Sequence, residues 1–133
     1  MNGLIIREPW INKILSGVKT WEMRTKPTLQ RGHIGLIRKG TGLVVAVAEL
    51  VDSLPPLDTR AFASSRERHG IPADMLLEAM KAGWIYPWVL RNVRPLRTPT
   101  HAGQKPGQVI WVPLLPNVVS EIQLQCALLP ETP

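Results

Sequence analysis

A single cysteine, Cys126, stands in 133 residues. No intrachain disulfide can form, and a cysteine-rich metal site is excluded. So little cysteine is expected of a chain in a reducing compartment, which points to the cytoplasm. Long hydrophobic runs are missing as well. "MNGLIIREPW" has three consecutive large aliphatics before Arg7 and Glu8, too few for a signal-peptide core. No stretch approaches a transmembrane span, so no membrane partner is expected. His33, His69 and His101 are far apart, with no H-x-x-x-H or Cys/His spacing. Zinc held by protein ligands is therefore not expected, and no other cofactor is implied. No serine sits in G-x-S-x-G, which leaves no hydrolase elbow. "GTG" and "GQKPG" open no helix, so neither reads as a phosphate loop.

Acidic residues are scarce in one place only. Residues 1–40 hold eight of the sixteen Lys and Arg but just two acids, Glu8 and Glu22. Residues 41–133 hold eight bases and eight acids. The whole excess of +6 lies in the first third. A one-sided basic region is an electrostatic footprint for polyanions, with nucleic acid the first candidate. The alternative is a chance cluster of solvated charges.

What is present fits one globular domain. The length suits a single core, and 44% hydrophobic with 20% charged residues is the ordinary globular balance. Thirteen prolines favour turns and short strands. "GLIIR" (3–7) reads as a strand and "EPWINKILSG" (8–17) as a helix, with Pro9 in its first turn and Gly17 as its stop. "TWEMR" (20–24) alternates as a strand, with Trp21 and Met23 on one face and Thr20, Glu22 and Arg24 on the other. "IGLIRK" (34–39) and "LVVAVAELVDSL" (43–54) read as strands. Asp58 or Thr59 is expected to cap a short helix from Arg60 to His69, closed by Gly70. A second helix is expected over 72–83. "WIYPWVLRNVRPL" (84–96) reads as a strand interrupted by Pro87, hence an edge strand. A loop over 97–108 and a strand over 109–114 follow. The tail "VVSEIQLQCALL" (118–129) alternates and is expected to add a strand. Short consecutive strands without regular crossover helices predict an α+β fold, a small mixed β-barrel with short flanking helices.

Lys19, Glu22 and Arg24 form the densest charged constellation. On a strand, Glu22 and Arg24 project to the same side. Glu22 suits the exocyclic amine of a base or acid–base work. Arg24 suits a phosphate or carboxylate, and a Lys crowded by cations can serve as base or nucleophile. The plain alternative is a surface ion pair worth about 0–1 kcal/mol. Five Trp stand against one Phe and one Tyr. Each is first a core residue. Trp10, Trp21 and Trp88 are the better candidates for stacking a base, whereas Trp111 reads as core. Glu67 lies in the run "SSRERHG" and is first a solvated helix residue.

"EPWINKILSGVKTWEMR" resembles the opening of the activating-signal-cointegrator homology (ASCH) domain. That opening carries P-W, a short helix and G-x-K-x-x-E-x-R, here Pro9, Trp10, Gly17, Lys19, Glu22 and Arg24. "RGHIGLIRKG", "WVLRNVRPL" and "GQVIWVPL" resemble its later strands, so the likeness spans roughly residues 2–114. The resemblance implies a fold of PUA type with a cleft for RNA or DNA, over an ASCH domain of residues 1–115. Residues 116–133 would be a C-terminal strand or tail of the same domain. It also implies two enzymatic precedents, deacetylation of acetylcytidine and single-strand ribonuclease activity. The amidohydrolase members carry K-T-x-T-x-R. Lys19 and Arg24 match that pattern, Glu22 replaces its second threonine, and Glu67 falls near a downstream catalytic glutamate.

The leading expectation is binding of single-stranded RNA or a modified nucleotide in a basic cleft, with DNA a lesser candidate. Lys19, Arg24, Arg31, Arg38 and Lys39 would supply positive charge there, and Trp10 or Trp21 would border it. The second expectation is a small hydrolase using Lys19, Glu22 and Glu67. A third is a protein-interaction module, which predicts a shallow or filled cleft. Nothing in the sequence sets the oligomeric state.

Overall fold

Six strands rich in apolar residues form one sheet, seen in a computed structural model that describes residues 1–128. The strands are β1 (Asn2–Ile6), β2 (Trp21–Arg24), β3 (Gly32–Arg38), β4 (Leu43–Ser53), β5 (Tyr86–His101) and β6 (Trp111–Pro113). Their order across the sheet is β2-β5-β4-β3-β1-β6. Every pairing is antiparallel except β1 with β3. The helices are α1 (Trp10–Leu15), α2 (Thr59–Ser64), α3 (Arg66–His69), α4 (Leu76–Lys81) and α5 (Pro116–Leu128).

The alternation along β1, β3, β4 and β5 divides their side chains between two cores. Leu4, Ile6, Ile34, Leu36 and Leu50 face inward, where Trp10, Ile11 and Ile14 of α1 and Phe62 of α2 cover them. Ile37, Val44, Val47 and Val112 face outward and are covered by Val118 and Ile122 of α5. The sheet also curls. Trp88 of β5 and Trp111 of β6 stack with centroids 5.8 Å apart, although β4, β3 and β1 lie between their strands in the sheet order. Arg24, on edge strand β2, donates from Nη2 to the Ile5 carbonyl of β1 at 2.8 Å. Side chains thus span the gap between the sheet's two ends. The result is an α+β fold, a curled half-barrel flanked by short helices.

Three expectations change. The tail forms helix α5 from Pro116, not a strand. Val118, Ile122 and Cys126 recur every four residues and make a helical face. Leu124, which strand alternation would have buried, is exposed. Position 129 of that expected strand, and the rest of the tail to 133, lie outside the described residues. Strand β5 is not an edge strand: β2 pairs with it at Pro87 through Met23, and β4 pairs with its other side from Trp88 onward. Pro87 is tolerated because the β4 ladder is ending at that point. Its carbonyl accepts from Leu54 N–H, one residue past β4, and only the return bond is lost. The strand then runs through the expected loop to His101. Pro95 and Pro99 fall beyond Val89, where β2 no longer covers it. Finally, the two expected helices each divide. Asp58 caps α2 by accepting from Ala61 N–H at 2.8 Å, α3 follows as a separate turn closed by Gly70, and a 3-10 turn at Ala73–Met75 precedes α4.

Candidate functional site

Gly17, at φ +85°, turns the chain out of α1. Lys19 N–H then bonds to Lys13 O at 3.1 Å and Thr20 N–H to Arg68 O at 2.9 Å. These bonds hold Lys19 between α1 and the end of α3, where only 2% of it is exposed. Its stem runs against Gly70, whose φ is +68°. A Cβ at Gly70 would lie 3.3 Å from Lys19 Cβ, so both the backbone and the space call for glycine.

The end of α3 supplies acceptors. Lys19 Nζ donates to His69 O and Lys13 Nζ to Gly70 O, both at 2.7 Å. Two lysines therefore satisfy carbonyls that a helix end leaves open. Both ammonium groups also lie near Trp10, 5.3 and 5.4 Å from its ring centroid. His69 is fully buried. Its Nδ1 accepts from Ile71 N–H, which leaves Nε2–H to donate to Phe62 O. Burial, with Lys19 and Arg66 nearby, holds its pKa below 6.5. This histidine is a neutral brace for the loop that holds Lys19.

On β2, Glu22 and Arg24 share a side, and Glu22 is 5% exposed. Glu22 Oε2 accepts from Arg24 Nε at 3.1 Å and Nη2 at 2.8 Å. Its Oε1 lies 3.7 Å from Lys19 Nζ. The carboxylate therefore sits between two cations, held by one and open toward the other. Burial lowers the pKa of Lys19 from 10.5 to about 8, with Arg24 and Lys13 adding to the fall and Glu22 opposing it. Lysine burial without a carboxylate alongside would push it further.

These groups line a cavity of about 230 Å³. Trp10, Lys19, Glu22, Arg24 and Lys39 all reach it. Arg7, Ile71, Trp84, Val109 and Ile110 line it too and carried no assignment in the sequence. Arg7 and Lys39 are exposed and so mark its rim, as do Val109 and Ile110. The remaining candidates stand elsewhere. Trp21 has Arg68 over its ring at 5.6 Å. Arg31 bonds to the Thr28 and Gln30 carbonyls and lies 3.7 Å from Asp52. Arg38 is held by Glu8 and Asn12. Glu67 borders a separate shallow groove with Lys13 and Arg66. Trp88, another stacking candidate, is buried and donates from Nε1 to Lys26 O at 2.9 Å.

A donor and an acceptor thus lie side by side in the cavity, Lys19 Nζ and Glu22 Oε1. Together they match a planar group that presents an amine beside a carbonyl or ring nitrogen. Among the described residues no cluster of three or more His, Cys, Asp or Glu forms a metal site. No helix among them is long and apolar enough to cross a membrane.

The family model for the ASCH domain matches residues 4–100. Solved structures with a similar fold include ASCH from Zymomonas mobilis, with TM-score 0.69, 16% identity and 92% of each chain covered. A serine-to-alanine mutant of that protein gives TM-score 0.70 at 15% identity, covering 92% of this chain and 94% of the other. A tyrosine-to-phenylalanine mutant gives 0.65 at 16%, covering 92% and 96%. Among curated proteins no relative matches the sequence.

Proposed function

The chain belongs to the ASCH domain family, and on that premise we propose that it binds single-stranded RNA or a modified nucleotide in the basic cavity. One observation carries this reading: Lys19, Glu22 and Arg24 converge with Trp10 and Lys39 on one open cavity of about 230 Å³. That volume is below the ~300–1,000 Å³ of ordinary drug-sized pockets, and suits one extruded base better than a folded strand. Glu22 Oε1 accepts from an exocyclic amine, Lys19 donates to the neighbouring acceptor, and Arg24 keeps Glu22 oriented. Trp10 offers an aromatic wall already tuned by two ammonium groups. A protein adaptor would have a shallow or filled cleft, and an open cavity lined by charge favours a small polar ligand instead.

The test is a salt titration of affinity for single-stranded RNA, run beside single-stranded DNA of the same sequence. Phosphate contacts give a log–log slope of about −0.7 for each phosphate neutralised. An absence of measurable binding at low salt would sink the proposal. Better binding of DNA would shift the ligand class but keep the cavity.

A hydrolytic reading has its own support. Lys19, with pKa about 8, stands 3.7 Å from a carboxylate. At neutral pH about a tenth of such an amine is neutral and able to act as base or nucleophile. Glu22 would move the proton, while Glu67 borders another groove. Incubation with acetylcytidine and assay for cytidine and acetate tests one form, and cleavage of labelled single-stranded RNA tests the other. Unchanged turnover in Lys19→Met would remove Lys19 from either mechanism.

A further inference from the structure

Most of the basic residues that make up the N-terminal charge excess are already engaged. Arg24 is held by Glu22, Arg38 by Glu8, and Arg31 lies near Asp52. Lys13 and Lys19 donate to carbonyls of the α3 end. Arg7 and Lys39 differ, because both line the cavity and neither makes an ion pair among the described residues.

The topology explains why these two meet. Strands β1 and β3 run parallel, and Ile6 with Arg38 is their last registered pair. Arg7 and Lys39 are the next residues on each strand. Lys39 N–H bonds to Ile6 O at 2.9 Å, which continues the pairing past the strand ends. Neighbouring strands lie about 4.8 Å apart, so two cations leave the sheet side by side. Like charges so placed repel, and an anion between them removes the cost. Arg7 is also oriented: its Cζ lies 4.7 Å from the ring centroid of Trp84. A guanidinium whose Cζ lies over an indole ring still has N–H groups to offer, and such groups bind phosphate in a fork.

We propose that Arg7, held over the Trp84 ring, and Lys39 form an outer subsite for the phosphate next to a base held by Lys19 and Glu22. The ligand is then a nucleotide or a strand, and a free nucleoside binds poorly. This rests on the nucleotide reading above and adds to it a requirement for phosphate.

The experiment uses calorimetry with the whole chain. The probes are adenosine, cytidine, guanosine and uridine, their 5′- and 3′-monophosphates, and a mixed-sequence single-stranded RNA. The proteins are wild type, Arg7→Gln/Lys39→Gln, and a control of equal charge loss at exposed sites elsewhere, Lys81→Gln/Lys105→Gln. At least one set of monophosphates is expected to bind wild type about tenfold or more above its nucleosides. The Arg7/Lys39 variant loses that preference while nucleoside affinity stays within about twofold, and the control keeps it. If only RNA binds measurably, the salt slope of the Arg7/Lys39 variant becomes shallower by about 0.7 for each phosphate it no longer neutralises. Equal affinity for nucleosides and monophosphates overturns the subsite but leaves the nucleotide reading standing. So does a preference or slope unchanged in the variant, or an equal loss in the control. If no probe binds, both fall.

Discussion

Arg24 and Arg38 each meet a glutamate, and both pairs lie within the first forty residues. Arg24 and Glu22 have side chains 19% and 7% exposed, whereas Arg38 and Glu8 are 25% and 58% exposed. The open pair, with Asn12, straps α1 to the end of β3. Water screens it, and its contribution to stability is small. The enclosed pair shares Glu22 with a lysine that is almost wholly shut off from solvent. Removing such groups from water costs several kcal/mol per ion, and only a complete set of partners offsets it. Two pairs of the same residue types therefore do different things: one holds a surface joint, the other maintains costly charge at the wall of a cavity. Buried charge so arranged at the wall of a cavity is what marks a candidate functional site.

The contrast is broken most directly at Glu22. Glu22→Ala leaves Lys19 and Arg24 facing each other without their carboxylate, and should cost about 3–5 kcal/mol in urea unfolding. A loss below about 1 kcal/mol would put the enclosed pair in the same class as the open one.

Next comes the pH dependence of Lys19. Its pKa is about 8 folded against 10.5 in the unfolded chain. Between those values the unfolded state binds the extra proton, so stability should rise with pH, by up to roughly 3 kcal/mol. Below pH 8 the full cost of the buried ammonium remains. Denaturation midpoints measured from pH 7 to 10.5 should climb in wild type relative to Lys19→Met. Parallel curves would mean that Lys19 is not desolvated in solution. The smallest effect belongs to the open pair. Glu8→Ala should cost about 0–1 kcal/mol and leave affinity for single-stranded RNA unchanged.

Much of the architecture was legible in local pattern. The apolar stripe of Trp10, Ile11 and Ile14 marked α1, Gly17 its stop, Asp58 or Thr59 the start of α2, and the β-branched run from Leu43 the long β4. Where two periods coexisted the reading went wrong. Val118, Ile122 and Cys126 fit a helix as well as a strand, and α5 won because its apolar side covers the outer face of the sheet. Pro87 argued for an edge, but what matters is whether a partner stands where the missing N–H would point, and β4 has already ended there.

The sequence by itself determined the strand and helix periods, the basic first third and the family to which the motif from Pro9 to Arg24 belongs, because these depend on neighbours in the chain. Only the tertiary structure decided which charges are available. Arg38 and Lys39 are adjacent in sequence, yet Glu8 takes the first and the second is left on the rim of the cavity beside Arg7. That outcome depends on the parallel register of β1 with β3 and on the curl of the sheet, which bring together residues more than thirty positions apart. Screening, desolvation and pairing all act through space, so no spacing along the chain records them.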